Sequence, residues 1–177
     1  MKKTLPSALI LILSLTILQG CGGPAKEEGR YYYEEEPEFS IIIPASWSTS
    51  EGLMGSTMTA ISPLEGSDDM FTESIAIMVQ EIPMTVELDQ LKEASINSAA
   101  SMLDGFEEID SGYTTINEKD AIWYIYKYEM MGQKIQAIAY QLMIDKYIYI
   151  LNGASTTDAF ELHKAELDEI INSFRAE

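Results

Sequence analysis

The sequence predicts an α+β fold, a three-layer α/β/α sandwich with a central antiparallel sheet. The first supporting observation is that residues 120–154 are apolar or aromatic on both faces of the strands they would form. An antiparallel sheet with one wet face would instead alternate between apolar and polar residues. The second observation is a pair of amphipathic segments with helical spacing, one before and one after this region. Helices on either side would cover both faces of the sheet.

The predicted strands are short apolar runs bounded by turn-forming residues. Before the first helix they cover residues 39–43, closed by Pro44, and then residues 57–62 and 73–80. In the C-terminal half, a strand at 146–152 follows two longer strands. These runs are rich in the β-branched and aromatic residues that strands prefer.

The two longest strands flank Gly132-Gln133, a Gly-X pair suited to a two-residue type II′ turn. With that turn, residues whose numbers sum to 265 face each other. Tyr128 then lies opposite Ala137, and on the reverse face Trp123 lies opposite Leu142. On the tyrosine face large side chains meet small ones, an arrangement that packs well.

Two helices complete the predicted domain. The first covers residues 85–103, with Thr85 placed to cap its first turn and Gly105 ending it. The second lies in residues 156–174, with Thr157 or Asp158 as its cap. The apolar stripes that predict them are Leu88, Leu91, Ala99 and Met102 in the first helix, and Phe160, Leu167, Ile171 and Phe174 in the second.

The chain begins with a segment typical of secretion signals. Lys2 and Lys3 precede an apolar run that is shorter than the roughly 20 residues of a spanning helix. The run ends Leu18-Gln19-Gly20-Cys21, which resembles the lipobox of bacterial lipoproteins. In that class the chain is cut before the cysteine, whose sulfur and new amino group are then acylated. Residues 1–20 are therefore predicted as a lipoprotein signal peptide, and Cys21, the only cysteine, as the lipid attachment site.

Residues 21–37 combine glycine, proline and a run of charges. That composition predicts a flexible, lipidated tether rather than a packed element, which places the folded domain at residues 38–177. Tyr31, Tyr32 and Tyr33 stand out within the tether. Two interpretations of them are open: they begin the first strand or lie on the domain surface, or they contact lipid headgroups.

The composition of the mature chain excludes several functional classes. Without residues 1–20, the chain of 157 residues contains nine basic and 29 acidic residues, which gives a formal charge of −20. The length suits a single domain. Such acidity excludes a non-specific nucleic-acid binder, which works by neutralising phosphates. Because an acidic domain is repelled by anionic lipid, the acyl chains would provide the link to the membrane. A single cysteine allows no internal disulfide.

Three stretches carry a resemblance to a known family. They are FSIIIPASW at 39–47, Ser62-Pro63 closing a strand, and a strand at 147–151 that runs through NGA into a helix ending INSF at 171–174. Over roughly residues 38–174 these features resemble the PsbP/DcrB-like (Mog/PsbP-type) domains. The resemblance implies a three-layer sandwich with an antiparallel sheet.

The resemblance also implies a mostly non-enzymatic family. Its members include extrinsic subunits of a photosynthetic membrane complex, bacterial envelope lipoproteins and a nuclear-import factor that binds a small GTPase. The features shared with this chain are fold-determining apolar signatures, so no ligand residue is carried over.

Side chains suited to catalysis or metal binding are scarce. The single histidine, His163, lies between apolar helix positions and is expected at the edge of the helix interface. A serine or cysteine triad needs a base held against the nucleophile, and a zinc site needs several His or Cys ligands. We therefore predict no catalytic residue, no metal site and no cofactor.

An acidic loop at residues 65–73 is the remaining candidate for cation binding. It contains Glu65, Asp68, Asp69 and Glu73. Calcium prefers such oxygen ligands, but the spacing lacks the EF-hand pattern. A solvated polar loop is the favoured interpretation, and cation binding stays open.

A row of tyrosines, Tyr124, Tyr126 and Tyr128, is the best candidate for an interaction surface. Aromatic side chains carry much of the binding energy at protein interfaces, and the tyrosine hydroxyl tolerates water. The alternative, which we favour, is that a helix covers the row as part of the core.

These observations predict a non-enzymatic, lipid-anchored protein on the extracytoplasmic side of a cell membrane. Its domain would bind a membrane or envelope protein as an accessory subunit, with the tether raising its concentration beside that partner. The alternatives are a lipoprotein that binds a cation or small ligand and, less favoured, a hydrolase that uses carboxylates. An extended exposed apolar patch would favour protein binding, and a concave pocket with perturbed acids would favour hydrolysis.

Overall fold

The computed structural model describes residues 29–67 and 71–176. The predicted signal peptide and Cys21 lie outside the described residues. The strands are β1 (Gly29–Glu35), β2 (Glu38–Pro44), β3 (Ser48–Glu51), β4 (Met58–Ile61), β5 (Ser74–Glu81), β6 (Glu107–Ile116), β7 (Lys119–Met130), β8 (Gln133–Ile144), β9 (Tyr147–Thr156) and β10 (Arg175–Ala176). The helices are α1 (Leu88–Met102) and α2 (Phe160–Asn172), and a short 3-10 turn covers Leu53–Gly55.

A seven-stranded antiparallel sheet forms the middle layer, in the order β3-β4-β5-β9-β8-β7-β6. The three long strands β7, β8 and β9 follow one another through two-residue turns. Strand β5 joins this meander by pairing with β9, which places Ser74 opposite Ala154. This pairing brings the start of β5 beside the end of β9, next to the first turn of α2.

The two helices lie on opposite faces of this sheet. On one face Leu91 of α1 packs with Ile122 and Ile148. On the other face Leu167 of α2 belongs to the main core cluster, together with Leu151. Successive residues of a strand point to opposite faces of the sheet, so Ile148 and Leu151 lie on opposite faces of β9. The predicted α+β class, with helices on both sides of an antiparallel sheet, is confirmed.

A second sheet, in the order β1-β2-β10, lies on the α2 side of the molecule. Phe39 of β2 is buried and stacks on Phe174, just beyond α2, with ring centroids 5.7 Å apart. Tyr32 of β1 also packs inward, with its ring centroid 6.0 Å from that of Phe39. The whole of β1 pairs with β2, from Gly29 opposite Pro44 to Glu35 opposite Glu38.

The tether predicted at residues 21–37 is therefore shorter than expected. Residues 29–35 belong to the folded domain, where the tyrosines lie in β1, a separate strand that pairs with the predicted first strand at 39–43. Tyr31 and Tyr33 are exposed on the domain surface, in agreement with the first of the two open interpretations. The charge run concealed this strand because β1 is an edge strand whose outward side chains face water. Strand β6 was missed for a similar reason, since most of its side chains are exposed.

The hairpin of β7 and β8 forms as predicted, but its turn differs. Met130 pairs with Gln133, so the turn residues are Met131 and Gly132 and the paired numbers sum to 263. Both turn residues have positive φ, at 53° and 82°, as a type I′ turn requires. The predicted type II′ turn is wrong. Because the register moves by two residues, every side chain keeps its face, and the apolar pattern could not distinguish the two alignments.

The specific pairs follow the corrected register. Tyr128 lies opposite Ile135 rather than Ala137, and Trp123 lies opposite Tyr140 rather than Leu142. The predicted pairing of a large side chain with a small one is found two residues earlier in β7, where Tyr126 lies opposite Ala137.

The helix caps also differ from the prediction. The N-cap of α1 is Glu87 rather than Thr85, and that of α2 is Ala159 rather than Thr157 or Asp158. Neither cap makes a side-chain hydrogen bond. These helices are held by their packed faces rather than by capping side chains, as is usual within a domain. Among the described residues, no helix has the length and apolar character needed to cross a membrane.

Candidate functional site

The predicted tyrosine row lies beneath α1 rather than on an open surface. Tyr124 is 5% exposed and Tyr126 is 7% exposed. The three rings follow one another along β7, with centroids 5.3 Å apart for Tyr124 and Tyr126 and 5.8 Å apart for Tyr126 and Tyr128. Phe106 packs on Tyr126 at 5.5 Å. The first two tyrosines are therefore core residues, and their participation in binding stays a prediction.

A cleft opens between α1 and the sheet beside this row, with a volume of about 550 Å³. One wall is the face of α1 that carries Ser95, Ser98 and Met102. The facing wall is the surface of the sheet, where Met78 and Ile150 line it. The helix covers only part of this face of the sheet, which leaves the cleft open. Apolar side chains line its walls, and its floor is polar. We name it the α1 cleft.

The floor of the α1 cleft is a hydrogen-bonded network. Ser95 donates to Oε1 of Gln141 at 2.6 Å, and Nε2 of Gln141 donates to the Tyr124 hydroxyl at 3.2 Å. The Tyr126 hydroxyl donates to Oδ1 of Asn152 at 2.8 Å. Each bond joins two different elements, so the network also fixes α1 and three strands relative to one another.

The tyrosines of the row are held in their neutral form. Burial raises the pKa of Tyr124 to about 12, against the opposing hydrogen bond from Gln141. Burial also raises the pKa of Tyr126 and of Tyr128. Near neutral pH these hydroxyls therefore act as hydrogen-bonding groups rather than as acids or nucleophiles.

The acidic loop and the single histidine come together, which the sequence analysis did not predict. Glu65 and Glu73 both approach His163, which is mostly buried. The expectation that His163 lies at the edge of the helix interface is therefore incomplete, because its ring also faces a cavity. Residues 68–70 of the loop lie outside the described residues. Within the described parts of the chain, no group of three or more His, Cys, Asp or Glu residues is placed to hold a metal ion.

The outer face of the small sheet carries an exposed apolar surface. Tyr31, Tyr33 and Ile42 lie on this face, and their side chains are between 46% and 66% exposed. Tyr31 pairs with Ile42 across β1 and β2, and the Tyr33 hydroxyl donates to Glu38 at 2.9 Å. We name these three side chains the β1 face. The tyrosines stand out in the sequence but Ile42 does not, because only the pairing of β1 with β2 brings them together.

A family model described as PsbP-like protein matches residues 24–176 of the chain. No curated protein sequence matches it significantly. Among solved structures, cyanobacterial PsbP (CyanoP) from Synechocystis sp. PCC 6803 is similar, with a TM-score of 0.65 and 16% sequence identity. That similarity covers 90% of this chain and 99% of CyanoP.

Two further structures have the same fold. LpqN, described as involved in cell envelope biogenesis of Mycobacterium tuberculosis, has a TM-score of 0.65 at 12% identity, covering 83% of this chain and 89% of LpqN. The Ran-binding protein Mog1p of Saccharomyces cerevisiae has a TM-score of 0.54 at 6% identity, covering 85% of this chain and 96% of Mog1p. At these identities the likeness establishes the fold alone.

Proposed function

Because the chain belongs to the PsbP-like protein family, we propose that it is a lipid-anchored envelope protein whose domain binds another membrane or envelope protein as a non-catalytic accessory subunit. The observation that carries this proposal is the exposed β1 face, which lies immediately after the predicted lipid attachment site. Exposed groups of large apolar side chains on a soluble domain are typical of protein interaction sites.

The tether between Cys21 and the domain is short. Gly29, the first residue of β1, follows Cys21 by eight positions. Fully extended, eight residues span at most about 29 Å. Acyl chains on Cys21 would therefore hold β1 close to the bilayer, where the effective concentration of membrane partners is high.

The partner that best fits this face is the extracytoplasmic surface of a membrane protein with a basic rim. The mature chain carries a formal charge of −20, so it attracts basic protein surfaces and is repelled by anionic lipid. Tyrosine side chains bury a large area at low entropic cost, which suits them to the centre of such an interface.

Two of the similar structures support this proposal by analogy. Mog1p is described as a Ran-binding protein, so a domain of this fold can serve protein binding. LpqN is described as involved in cell envelope biogenesis, which agrees with the predicted location of this chain.

In the first experiment, residues 1–177 are expressed in a bacterium and compared with the Cys21→Ala variant. We expect a membrane-associated protein whose N-terminal peptide begins at an acylated Cys21 in mass spectra. The Cys21→Ala variant should lose both the acyl groups and the membrane association. An unmodified Cys21 in the membrane fraction would contradict the proposed anchor.

The second experiment tests the β1 face by crosslinking in native membranes. The double variant Tyr31→Ser/Tyr33→Ser should lose the crosslinked partner, while Leu64→Ser/Met84→Ser should retain it. Leu64 and Met84 are also exposed apolar side chains, but they lie outside β1 and β2. Equal crosslinking by both double variants would contradict binding through the β1 face.

A second candidate function is binding of a small ligand in the α1 cleft. Its volume of about 550 Å³ falls in the usual range for small-molecule sites, and apolar walls with a few polar groups are typical of them. A saturable rise in melting temperature with a ligand, lost in Ser98→Trp, would support this candidate.

A further inference from the structure

A second cavity, of about 530 Å³, lies where the β4–β5 loop, the first residue of β8 and the first turns of α2 meet. Its wall includes Glu65, Phe71, Glu73, Gln133, Thr156 and His163. This volume can hold a small organic molecule or the end of a long side chain. We name it the histidine cavity; it is distinct from both the β1 face and the α1 cleft.

The central group of the histidine cavity is the carboxylate of Glu73. This residue is only 5% exposed. Ser155 donates to its Oε1 atom and Ser62 donates to its Oε2 atom, both at 3.0 Å. The Glu73 backbone N–H also donates to the Ser62 hydroxyl at 2.8 Å. The carboxylate is therefore held in one orientation by neutral donors.

Neutral donors do not balance the charge of a buried carboxylate. Buried charges in proteins are normally paired with an opposite charge, because leaving water is costly for an ion. No lysine or arginine is found among the described residues that line the histidine cavity. Lys164, next to the histidine on α2, instead pairs with Asp168 at 2.5 Å.

The imidazole ring of His163 faces the carboxylates of Glu73 and Glu65. Its Nε2 atom is 3.5 Å from Oε1 of Glu73, and its Nδ1 atom is 4.0 Å from Oε1 of Glu65. Both separations exceed the usual length of a hydrogen bond between nitrogen and oxygen. Glu73 directly precedes β5, and Glu65 lies in the same β4–β5 loop. Gln133 of β8 and Thr156 of β9 also line the cavity.

We propose that the histidine cavity binds the ammonium or guanidinium group of an organic cation, which pairs with Glu73 and Glu65. Such a group supplies the buried carboxylate with a positive charge that no lysine or arginine among the described lining residues provides. The Phe71 side chain in the cavity wall adds an aromatic surface of the kind that organic cations favour. The strong negative charge of the whole chain, −18 before processing, raises the local concentration of cations around the opening.

The test uses the soluble domain as residues 21–177 of the natural chain with Cys21→Ser, and isothermal titration calorimetry at low ionic strength. Agmatine, which carries both a guanidinium and an ammonium group, is the first probe. N-acetyl-arginine amide is the second and represents the side chain of a partner protein. We expect saturable binding of both probes. Tighter binding of agmatine would identify a free amine as the source of the cation. Tighter binding of N-acetyl-arginine amide would identify a basic side chain.

A matched pair of surface variants separates a site from general attraction. The Glu65 and Glu81 side chains are 65% and 62% exposed, and each substitution by glutamine removes one negative charge. Glu65→Gln should weaken agmatine binding by about tenfold, the effect of one lost charge pair in a partly enclosed site. Glu81→Gln, at the far end of β5, should change it by less than about twofold.

Two further measurements complete the test. Glu73→Gln, a change that conserves shape, should abolish binding while the circular dichroism spectrum stays that of the parent. Because the chain has one histidine, its imidazole proton signals in NMR spectra should shift when agmatine is added to the parent.

Several results would overturn the proposal. Equal weakening by Glu65→Gln and Glu81→Gln would show that cations are attracted by net charge alone. Absence of binding by both probes, or a histidine signal that does not move as agmatine saturates, would exclude the cavity as the site. If Glu73→Gln fails to fold, the Glu65→Gln and Glu81→Gln comparison decides the question.

Discussion

Gly153 of β9 lies directly against Leu167 of α2. A Cβ atom built on the glycine would be 3.3 Å from the Leu167 Cβ atom and 3.2 Å from Cδ1 of Ile75 on the neighbouring strand. These separations are shorter than ordinary contacts between carbon atoms in a packed core. The helix therefore approaches the sheet as closely as it does because this position carries no side chain.

Gly153→Ala should destabilise the domain by about 1–3 kcal/mol, the usual cost of overpacking a core. Gly66→Ala is the control, since a Cβ atom there would have no neighbour within 4 Å. Urea unfolding followed by circular dichroism measures both variants. Equal stability of the two would mean that α2 moves freely away from β9.

Tyr126→Phe should lower stability by about 1–2 kcal/mol, because the Oδ1 atom of the half-buried Asn152 would lose its donor. Tyr31→Phe is the control at a strongly exposed tyrosine and should change stability by less than about 0.5 kcal/mol. Denaturant midpoints at constant slope give both values. A neutral Tyr126→Phe would indicate that water replaces the hydroxyl.

Met131→Asn should stabilise the domain by about 0.5–1 kcal/mol. Met131 is 99% exposed and adopts a φ of 53° in the turn before Gly132. Asparagine tolerates this conformation better than methionine, and Asn-Gly is the preferred pair in type I′ turns. Met84→Asn, at another exposed methionine without a positive φ, should have little effect. Thermal unfolding in parallel samples would compare them, and a lower melting temperature for Met131→Asn would contradict the turn assignment.

Alkaline pH should unfold the domain through its buried tyrosines. Burial raises the pKa of Tyr124 to about 12 from an ordinary value of 10.0. Above pH 10 the unfolded chain releases this proton while the folded chain keeps it, so the stabilisation is complete below pH 10 and is lost as pH rises towards 12. The loss amounts to at most about 1.4 kcal/mol per pH unit for one tyrosine.

The urea midpoint should therefore fall steeply between pH 10 and 12. Tyr124→Phe should flatten that decline even though it lowers stability at pH 7, whereas Tyr31→Phe should leave the slope unchanged. Parallel slopes for all three proteins would contradict burial of Tyr124 in the folded state.

The elements predicted best are those with the strongest apolar pattern. Strands β7, β8 and β9 and helix α2 were recognised because apolar or aromatic residues occupy most of their buried positions, so burial is visible in the local sequence. Strands β1 and β6 were missed because edge strands show many polar side chains to water. The β7–β8 turn was misassigned because a shift of two residues leaves the apolar pattern of both strands unchanged.

The candidate sites were predictable only in part. The row of Tyr124, Tyr126 and Tyr128 was visible as an alternation along one strand, but its partners Gln141 and Asn152 lie on other strands. Glu73 and His163 were each noted without being joined, because the pairing of β5 with β9 and the position of α2 bring them together.

Local residue patterns were sufficient for the α+β class, for the acidity of the chain and for the prediction of a lipid anchor at Cys21. Each of these depends on neighbouring residues or on composition. Tertiary structure decided that α1 buries the tyrosine row, that Tyr31, Tyr33 and Ile42 share an exposed face, and that Glu73 meets His163. These relationships join residues far apart in the chain, and they depend on strand register and helix placement, which the packing of the whole domain sets.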